Sequence, residues 1–348
     1  MTKQETQIMK GVAILLMIFL HLFNQMSNVE LCRSFIYIGD IPFVYWLSAA
    51  ANPVAFFLIL SGYGMHFIHV RGKGDIHRWS RIGKLYLHWG GILVLFTIPS
   101  FIYTGRYYVD FQQIISNYTA FNTSWYGEGW FLFPFICLSL LSPWIFKLTD
   151  RYKVRWILPI SFLLGTCTSF IISRYGAQYL YKNHWLYNPF LILHLAPSFI
   201  FGAMLQRTGF IHKMQEKYNS RWLWLALILV VIIVCVTRTA AWGPLYAMAF
   251  IVLFLSAPRW QWVDKGLMLL GNHSMNMWLI HAWFCYYIFH DLTYSLGYPL
   301  LIYIALIVIS LLCSYLVNAI CSLPLFIIEK CQNKKIIRAC TVLSLLGF

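Results

Sequence analysis

Residues 9–25 read MKGVAILLMIFLHLFNQ, an apolar run with Lys10 near its start and His21 near its end. A run of this kind predicts a membrane-spanning helix. At 100° per residue, the spacing of the two side chains leaves them about 20° apart around the axis and about 16 Å apart along it. Each polar group costs desolvation free energy in a membrane that an apolar residue would avoid. The pair therefore predicts a polar reaction path along one face of this helix.

The whole chain has the composition of a polytopic membrane protein. Of its 348 residues, 60% are hydrophobic and only 11% are charged, and the mean hydropathy is +0.67. The net charge of +15 would suit a nucleic-acid partner only if the basic residues were gathered on a soluble domain. They lie instead between apolar runs, so the sequence predicts a lipid bilayer and no nucleic acid as partner.

The cysteines predict no disulfide framework and no zinc cluster. There are nine of them, with no CxxC pair, and most lie inside apolar runs, as small apolar residues do. The first apolar run is not followed by a small-residue cleavage site, so we expect a retained span rather than a removed signal peptide.

The hydropathy pattern predicts an all-α bundle of about ten transmembrane helices. Lys and Arg set the orientation: 21 of the 26 fall in segments that would be cytoplasmic if the N-terminus is, and five fall outside. Both termini are then cytoplasmic, with one transmembrane domain over residues 1–328 and a cytoplasmic tail over 329–348. The expected spans are 8–26, 46–68, 82–104, 128–148, 154–174, 187–206, 221–238, 241–258, 267–289 and 299–324.

No stretch is long enough for a soluble enzymatic domain, so any chemistry must take place within the bundle. The longest outer loop, residues 105–127, mixes aromatic and polar residues and predicts a short interfacial helix or a re-entrant segment. It either contacts an acceptor substrate or forms part of an ordinary aromatic belt at headgroup depth.

A basic stretch, VRGKGDIHRWSRIGKLYLHW, leads into the third span. If the third helix starts early, Arg78 and Arg81 share a face at its N-terminus, because they are three residues apart. Two guanidiniums and free backbone N–H groups bind phosphates well. For Arg71, Lys73 and Lys84 we favour a role in topology only.

Four features of the sequence form a pattern from end to end: Lys10 and His21 on the first span, Phe56, Phe57, Ser61 and Gly62 on the second, Arg78 and Arg81, and the late segment from Ser274 to His281. Together these features resemble the acyltransferase-3 family of integral-membrane enzymes, which O-acylate cell-surface polysaccharides and other acceptors. The segment NTSWYGEGWFLFPF also looks like the central WF segment of that family. One departure is Lys10, where the family has Arg, which keeps the charge but loses the bidentate geometry.

The resemblance implies a multi-pass enzyme of a bacterial cytoplasmic (inner) membrane that has no tightly bound cofactor. The acyl group, usually acetyl from acetyl-CoA on the cytoplasmic side, is transferred to a hydroxyl of a surface or lipid-linked glycan. Lys10, Arg78 and Arg81 would hold the phosphates of the acyl-CoA. His21 would act either as the general base on the acceptor hydroxyl or as the carrier of a transient acyl-imidazole.

The remaining candidates each have a structural alternative. Glu128, preferred over Asp40, is the candidate orienting carboxylate. Ser61 with its neighbouring glycine either supplies donors to a developing oxyanion or allows close helix packing. On the acceptor side we expect Trp130, Ser274 and His281, of which the last two share a helix face. For His281 the alternative, which we favour, is a hydrogen bond to a neighbouring helix.

Two other functions are weighed against acyl transfer. A metal site at His66, His69 and His77 is not expected, because these residues lie near a membrane edge and the sequence gives no sign of residues that would support metal ligands. A transporter or flippase for a glycan or small solute would use the track from Lys10 to His21 as a permeation path. No paired, Gly/Pro-broken segments and no acidic residue deep in a span support that alternative.

Overall fold

The computed structural model describes residues 1–72, 74–105, 110–218, 220–238 and 242–345, of which the side chains of 74–77 and 323–345 lie outside the description. Over these ranges the chain is 82% helical and contains one short hairpin, which confirms the predicted all-α class. The hairpin pairs β1 (Tyr37–Ile38) with β2 (Ile41–Pro42). The helices are α1 (Lys3–Phe23), α2 (Met26–Glu30), α3 (Phe43–Ser48), α4 (Pro53–Val70), α5 (Gly74–Thr104), α6 (Phe111–Tyr118), α7 (Leu132–Arg151), α8 (Val154–Tyr175), α9 (His184–Thr208), α10 (Phe210–Lys217), α11 (Trp222–Thr237), α12 (Gly243–Ser256), α13 (Gln261–Ile280), α14 (Ala282–Cys285), α15 (His290–Tyr294) and α16 (Pro299–Leu345).

Seven segments of the described chain are long and apolar enough to cross a bilayer, and they coincide with seven of the ten predicted spans. Helices α11 and α12 match the seventh and eighth predictions but are shorter, and α13 with α14 occupies the ninth. The chain is therefore a multi-pass membrane protein, and its orientation stays a prediction. The seven segments are Lys3–Phe23, Phe43–Val70, Arg78–Thr104, Gly127–Arg151, Val154–Leu180, His184–Thr208 and Pro299–Ser322.

Helix α1 lies in the middle of the bundle, packed against α4, α13 and α16. It begins with a capping box, in which the Thr2 hydroxyl accepts from the Glu5 backbone N–H at 3.1 Å. More than half of α1 and of α9 is buried, whereas α8 and α16 keep most of their apolar surface exposed, as lipid-facing helices do. Helix α1 is therefore an inner helix of the bundle, and Lys10 and His21 on it are both partly buried.

Glycines set the closest helix contacts. A Cβ atom at Gly11 of α1 would overlap the carbonyl oxygen of Leu267 on α13, and one at Gly271 would overlap that of Gln7. Helices α4 and α9 touch in the same way, through Gly62 and its counterpart Gly202. Small residues that allow backbone contact are a common basis of helix association in membranes. These two crossings fix α1 against α13 and α4 against α9.

The ninth predicted span is interrupted near its end. Helix α13 stops at Ile280, α14 follows after His281, and the chain then turns through residues 286–289 before α15. This interruption places His281 and two consecutive tyrosines, Tyr286 and Tyr287, beside the C-terminal end of α1. We call this end of the bundle the His21 end and the opposite one, where α1 and α5 begin, the Lys10 end.

Candidate active site

His21 is half-buried in the last turn of α1 and bonded to a tyrosine brought in by the interruption after α13. Its Nδ1 lies 3.3 Å from the hydroxyl of Tyr286, and that hydroxyl donates to Oδ1 of Asn24 at 3.2 Å. A hydroxyl has one proton, so a Tyr286 that donates to Asn24 accepts from Nδ1–H of His21. With Nδ1 as the donor, the neutral imidazole of His21 has an unprotonated Nε2, the atom that a general base requires.

A second imidazole lies against the first. His281 is fully buried, and its ring centroid is 4.8 Å from that of His21. Its Nδ1 lies 2.7 Å from the carbonyl oxygen of Trp278 and 3.2 Å from that of Met277. Since carbonyls only accept, Nδ1 carries the proton and Nε2 is left as an acceptor. That Nε2 is buried and has no hydrogen-bond partner among the described residues.

Glu128 also lies at the His21 end of the bundle, where its carboxylate is bonded to a tyrosine. It lies on the 3₁₀ turn Gly127–Phe131 that precedes α7. The Tyr287 hydroxyl donates to its Oε2 at 2.9 Å and accepts from the backbone N–H of Gly127 at 2.7 Å. Glu128 makes no hydrogen bond to His21 within the described ranges. Asp40, the other carboxylate considered, is exposed in the turn between β1 and β2.

Aromatic side chains close one side of this site. The ring of Tyr126 stacks on Trp283 at 5.0 Å and on Tyr287 at 5.6 Å, and Trp283 stacks in turn on Phe96 at 5.6 Å. Tyr126 and Trp283 are almost completely buried. Such a wall excludes water from one side of the histidine pair and strengthens electrostatic interactions there.

On its other side the site borders a cavity of about 490 Å³. Asn24, the residue that accepts from Tyr286, is part of the cavity wall. Leu20 lines it beside His21, and the far wall comes from α3 and the residues that follow it up to Asn52, from the end of α11 and from α12. The volume lies in the range of small-molecule sites. The hydrogen-bond network of His21 is therefore in contact with a space that can admit a ligand.

The predicted phosphate-binding residues lie together at the Lys10 end. Helix α5 begins at Gly74, so the condition for Arg78 and Arg81 to share a helix face is met. The positive charge of Arg81 acts on Lys10, and that of Arg78 acts on Arg81. Cations that act on one another in this way add to one positive potential, which attracts anions. The structure thus joins Lys10, Arg78 and Arg81 in one cluster, which we call the cation cluster.

Three other predicted residues lie elsewhere. Ser61 is half-buried on α4, next to the glycine that contacts α9, and makes no hydrogen bond to His21 in the described chain. The Ser274 hydroxyl donates to the carbonyl of Gly271 within its own helix at 2.8 Å. Trp130 lines a separate cavity of about 270 Å³. Their predicted roles in oxyanion binding and acceptor binding stay predictions.

A further polar cluster lies at the Lys10 end, around His66. Its Nε2 donates to Oδ1 of Asp150 at 3.0 Å, and its Nδ1 is bonded to the side chain of Gln206. Arg207 lies 3.8 Å from the same carboxylate and donates to the carbonyls of Thr149 and Tyr152 at 2.8 Å each. The side chain of His77 lies outside the described residues. Among those that are described, no three His, Cys, Asp or Glu side chains are grouped as metal ligands.

The family model for the acyltransferase domain Acyl_transf_3 matches residues 5–319, nearly the whole chain. The chain belongs to the acyltransferase-3 family. No curated protein and no solved structure matches it. As a member of this family the chain is a membrane acyltransferase, and both the histidine pair and the cation cluster fall inside the matched region.

Sequence reasoning did not identify every residue of this acyltransferase site. Asn24 and the tyrosine pair Tyr286–Tyr287 carry the hydrogen bonds of His21 and Glu128, yet none was a candidate. Asn24 lies three residues after His21 and therefore on the same helix face, a signal that was available. Consecutive tyrosines in an aromatic-rich span give no such signal.

Proposed function

We propose that this acyltransferase moves an acetyl group from acetyl-CoA to a hydroxyl of a cell-surface or lipid-linked glycan, with His21 as the general base. The observation that carries the proposal is the contact of His21 Nδ1 with the Tyr286 hydroxyl, which is bonded in turn to Asn24 at one end of α1. This contact leaves Nε2 of the neutral imidazole as the proton acceptor. The other end of the same helix carries Lys10 of the cation cluster. Donor phosphates and acceptor hydroxyl are thereby assigned to opposite ends of one helix.

The proposed reaction is a direct transfer. Nε2 of His21 takes the proton of the acceptor hydroxyl as its oxygen attacks the thioester carbonyl. The tetrahedral intermediate collapses with cleavage of the C–S bond, and the CoA thiolate leaves and receives the proton from the His21 imidazolium. The products are the O-acetyl ester and CoA–SH, and the imidazole is returned neutral.

The cavity beside Asn24 supports direct transfer over an acyl-imidazole, because it gives the acceptor a place next to His21 while the donor is bound. Initial-rate kinetics distinguish the two routes. Direct transfer gives intersecting double-reciprocal lines for donor and acceptor, whereas an acyl-enzyme gives parallel lines. Parallel lines, together with an acetylated His21 detected by mass spectrometry, would contradict direct transfer and support the acyl-imidazole route.

Glu128 is proposed to position the site rather than to contact His21. Its bond to Tyr287 and the bond from the Gly127 backbone to the same hydroxyl fix the chain next to Tyr286. Replacing a carboxylate that acts in this way changes the orientation of the base but does not remove the base itself.

The base is tested with labelled acetyl-CoA and purified protein in nanodiscs. We expect His21→Ala to lower acetyl transfer by about 10²–10⁴-fold, as loss of a general base does. The matched control is His273→Ala, since His273 also lies on a bundle helix and bonds one hydroxyl, that of Ser314 at 2.9 Å. Full activity of His21→Ala, or an equal loss in the control, contradicts the proposal.

The donor site is tested by the Michaelis constant for acetyl-CoA. Arg78→Ala and Arg81→Ala should each raise it about tenfold or more, because a hydrogen bond between charged groups contributes about 1.5–3 kcal/mol. Lys84→Ala is the matched control, an exposed cation one helical turn further along α5. An unchanged constant in both arginine variants assigns these residues to topology instead.

The acceptor class is tested in cells. Mass spectrometry of surface glycans from cells with the wild-type chain, the His21→Ala chain and no chain reports the modified sugar directly. An acetyl increment that depends on His21 supports the proposal, and glycans that are identical in all three cultures contradict a glycan acceptor.

A further inference from the structure

Among the described residues that line the cavity at the His21 end, one is charged, Arg238. The other polar lining groups are neutral: Asn24, Tyr45, Ser48, Asn52 and Tyr246. No carboxylate lines the cavity, and within the described ranges Arg238 forms no salt bridge. The electrostatic character of the cavity is therefore set by a single guanidinium.

Arg238 is held in place by its backbone and by an aromatic ring. It caps the C-terminus of α11 with φ of 48°, in the left-handed region that Gly and Asn adopt most readily. Its guanidinium lies 4.7 Å from the ring centroid of Tyr45, and one of its nitrogens lies 3.5 Å from the Tyr45 carbonyl. A side chain of this size in that conformation is disfavoured unless the surroundings require it. The guanidinium therefore lies against a ring that itself lines the cavity.

The predicted topology makes this arginine unusual as well. The His21 end faces outward in that topology, and outer segments hold only five Lys and Arg. A cation at a helix C-terminus also interacts favourably with the helix dipole, which is the purely structural explanation of Arg238. That explanation accounts for the charge at the end of α11 but not for its position in a cavity wall.

The cavity is connected to the proposed reaction through Asn24, which lines it and accepts from the hydroxyl that holds His21. We propose that this cavity binds the acceptor and that Arg238 selects an acceptor with an anionic group, a carboxylate or a phosphate, next to its reacting sugar. The inference rests on the proposed function and adds the substrate class. Arg is suited to both anions, since its fork matches carboxylate and phosphate oxygens.

The test compares three small probes in nanodiscs: methyl glucuronide carries a carboxylate, glucose 1-phosphate carries a phosphate, and methyl glucoside is neutral. Binding is measured by saturation-transfer NMR and acetyl transfer by labelled acetyl-CoA. We expect at least one anionic probe to bind about tenfold more tightly than the neutral one. The preferred anionic probe then shows whether the acceptor carries a uronic acid or a sugar phosphate.

Three variants locate the effect. Arg238→Gln should lower the affinity for the anionic probes to that for the neutral probe, which removes the preference for an anionic group. Arg33→Gln is the matched control, because Arg33 is also an exposed arginine, 5.9 Å from a tyrosine ring, but lies outside the cavity wall. Gly243→Ala, whose new methyl group would meet the Asn52 amide, should weaken all three probes alike.

The outcomes separate the inference from the proposed function. Anionic probes that bind through Arg238 without any acetyl transfer overturn the proposed function and keep the anion site. Equal binding of charged and neutral probes, no binding of either anionic probe, or a preference that survives in Arg238→Gln overturns the anion site. Transfer to the neutral probe at full rate then leaves the acyltransferase proposal intact.

Discussion

Two histidine clusters at opposite ends of the bundle differ in how completely their hydrogen bonds are satisfied. At the Lys10 end, both ring nitrogens of His66 are bonded, to Asp150 and to Gln206. At the His21 end, His281 has a buried Nε2 with no partner in the described chain, and its neighbour His21 is bonded at one nitrogen only. A closed network stabilises a fold, whereas an unpartnered buried acceptor is costly and calls for a functional explanation.

The largest effect that this comparison predicts is on activity at the His21 end. His281→Phe keeps a buried ring but removes the free Nε2, and we expect acetyl transfer to fall about 10²-fold because a proton acceptor next to His21 is lost. The thermal midpoint should stay close to that of wild type, since the bonds lost go to carbonyls of the same helix. His273→Phe, on the same helix, is the control for ring substitution. Full activity of the His281→Phe protein would mean that the histidines at the His21 end, like His66, have a structural role at this position and that the free Nε2 of His281 is not used in the reaction.

The second prediction is the converse at the Lys10 end. His66→Phe removes the hydrogen bonds of the imidazole to Asp150 and Gln206, and Arg207 stays 3.8 Å from the Asp150 carboxylate. We expect a loss of about 1–3 kcal/mol in the free energy of unfolding. Activity per folded molecule should be retained. The measurement is a thermal-shift assay alongside acetyl transfer normalised to folded protein. A specific loss of activity with unchanged stability would falsify the structural role.

The third prediction concerns the tyrosine that holds His21. Tyr286→Phe removes the hydroxyl between His21 and Asn24, and we expect acetyl transfer to fall about tenfold, because the tautomer of His21 is then no longer fixed. The reduction should lie in kcat rather than in the Michaelis constant for acetyl-CoA. If the Michaelis constant rises instead, Tyr286 contacts the donor.

The smallest effect is expected at Ser274, whose hydroxyl is satisfied within its own helix. Ser274→Ala removes the donor but leaves its carbonyl partner in the helix ladder. We expect transfer rates within about twofold of wild type and stability within about 0.5 kcal/mol. A clear rise in the Michaelis constant for the glycan acceptor would restore the predicted acceptor role.

Much of the fold and part of the site follow from sequence periodicity. The common face of Lys10 and His21 depends only on helix geometry, and the shared face of Arg78 and Arg81 needed only the early start of α5. The partners of His21 could not be predicted in the same way. Tyr286 lies 265 residues from His21 and reaches it because the helix is interrupted after His281. The pairing belongs to tertiary packing, which local patterns do not encode.

In the second span, neighbouring residues of one motif, Ser61 and Gly62, serve different purposes. Gly62 was open to an oxyanion role or to close helix packing, and in the structure it contacts the backbone of Phe199 on α9. The neighbouring Ser61 keeps its predicted role as a hypothesis. A short signature can thus be read correctly as a motif while the sequence leaves open which of its residues touch substrate.

The glycine crossings of α1 with α13 and of α4 with α9 bear on the transporter alternative. Alternating access requires one half of a bundle to rock or slide against the other. Helices whose backbones touch at Gly11 and Gly62 lose their interlocking surface as soon as they slide. These backbone contacts favour a bundle that keeps its helices in place, so during acyl transfer we expect the substrates to move rather than the helices.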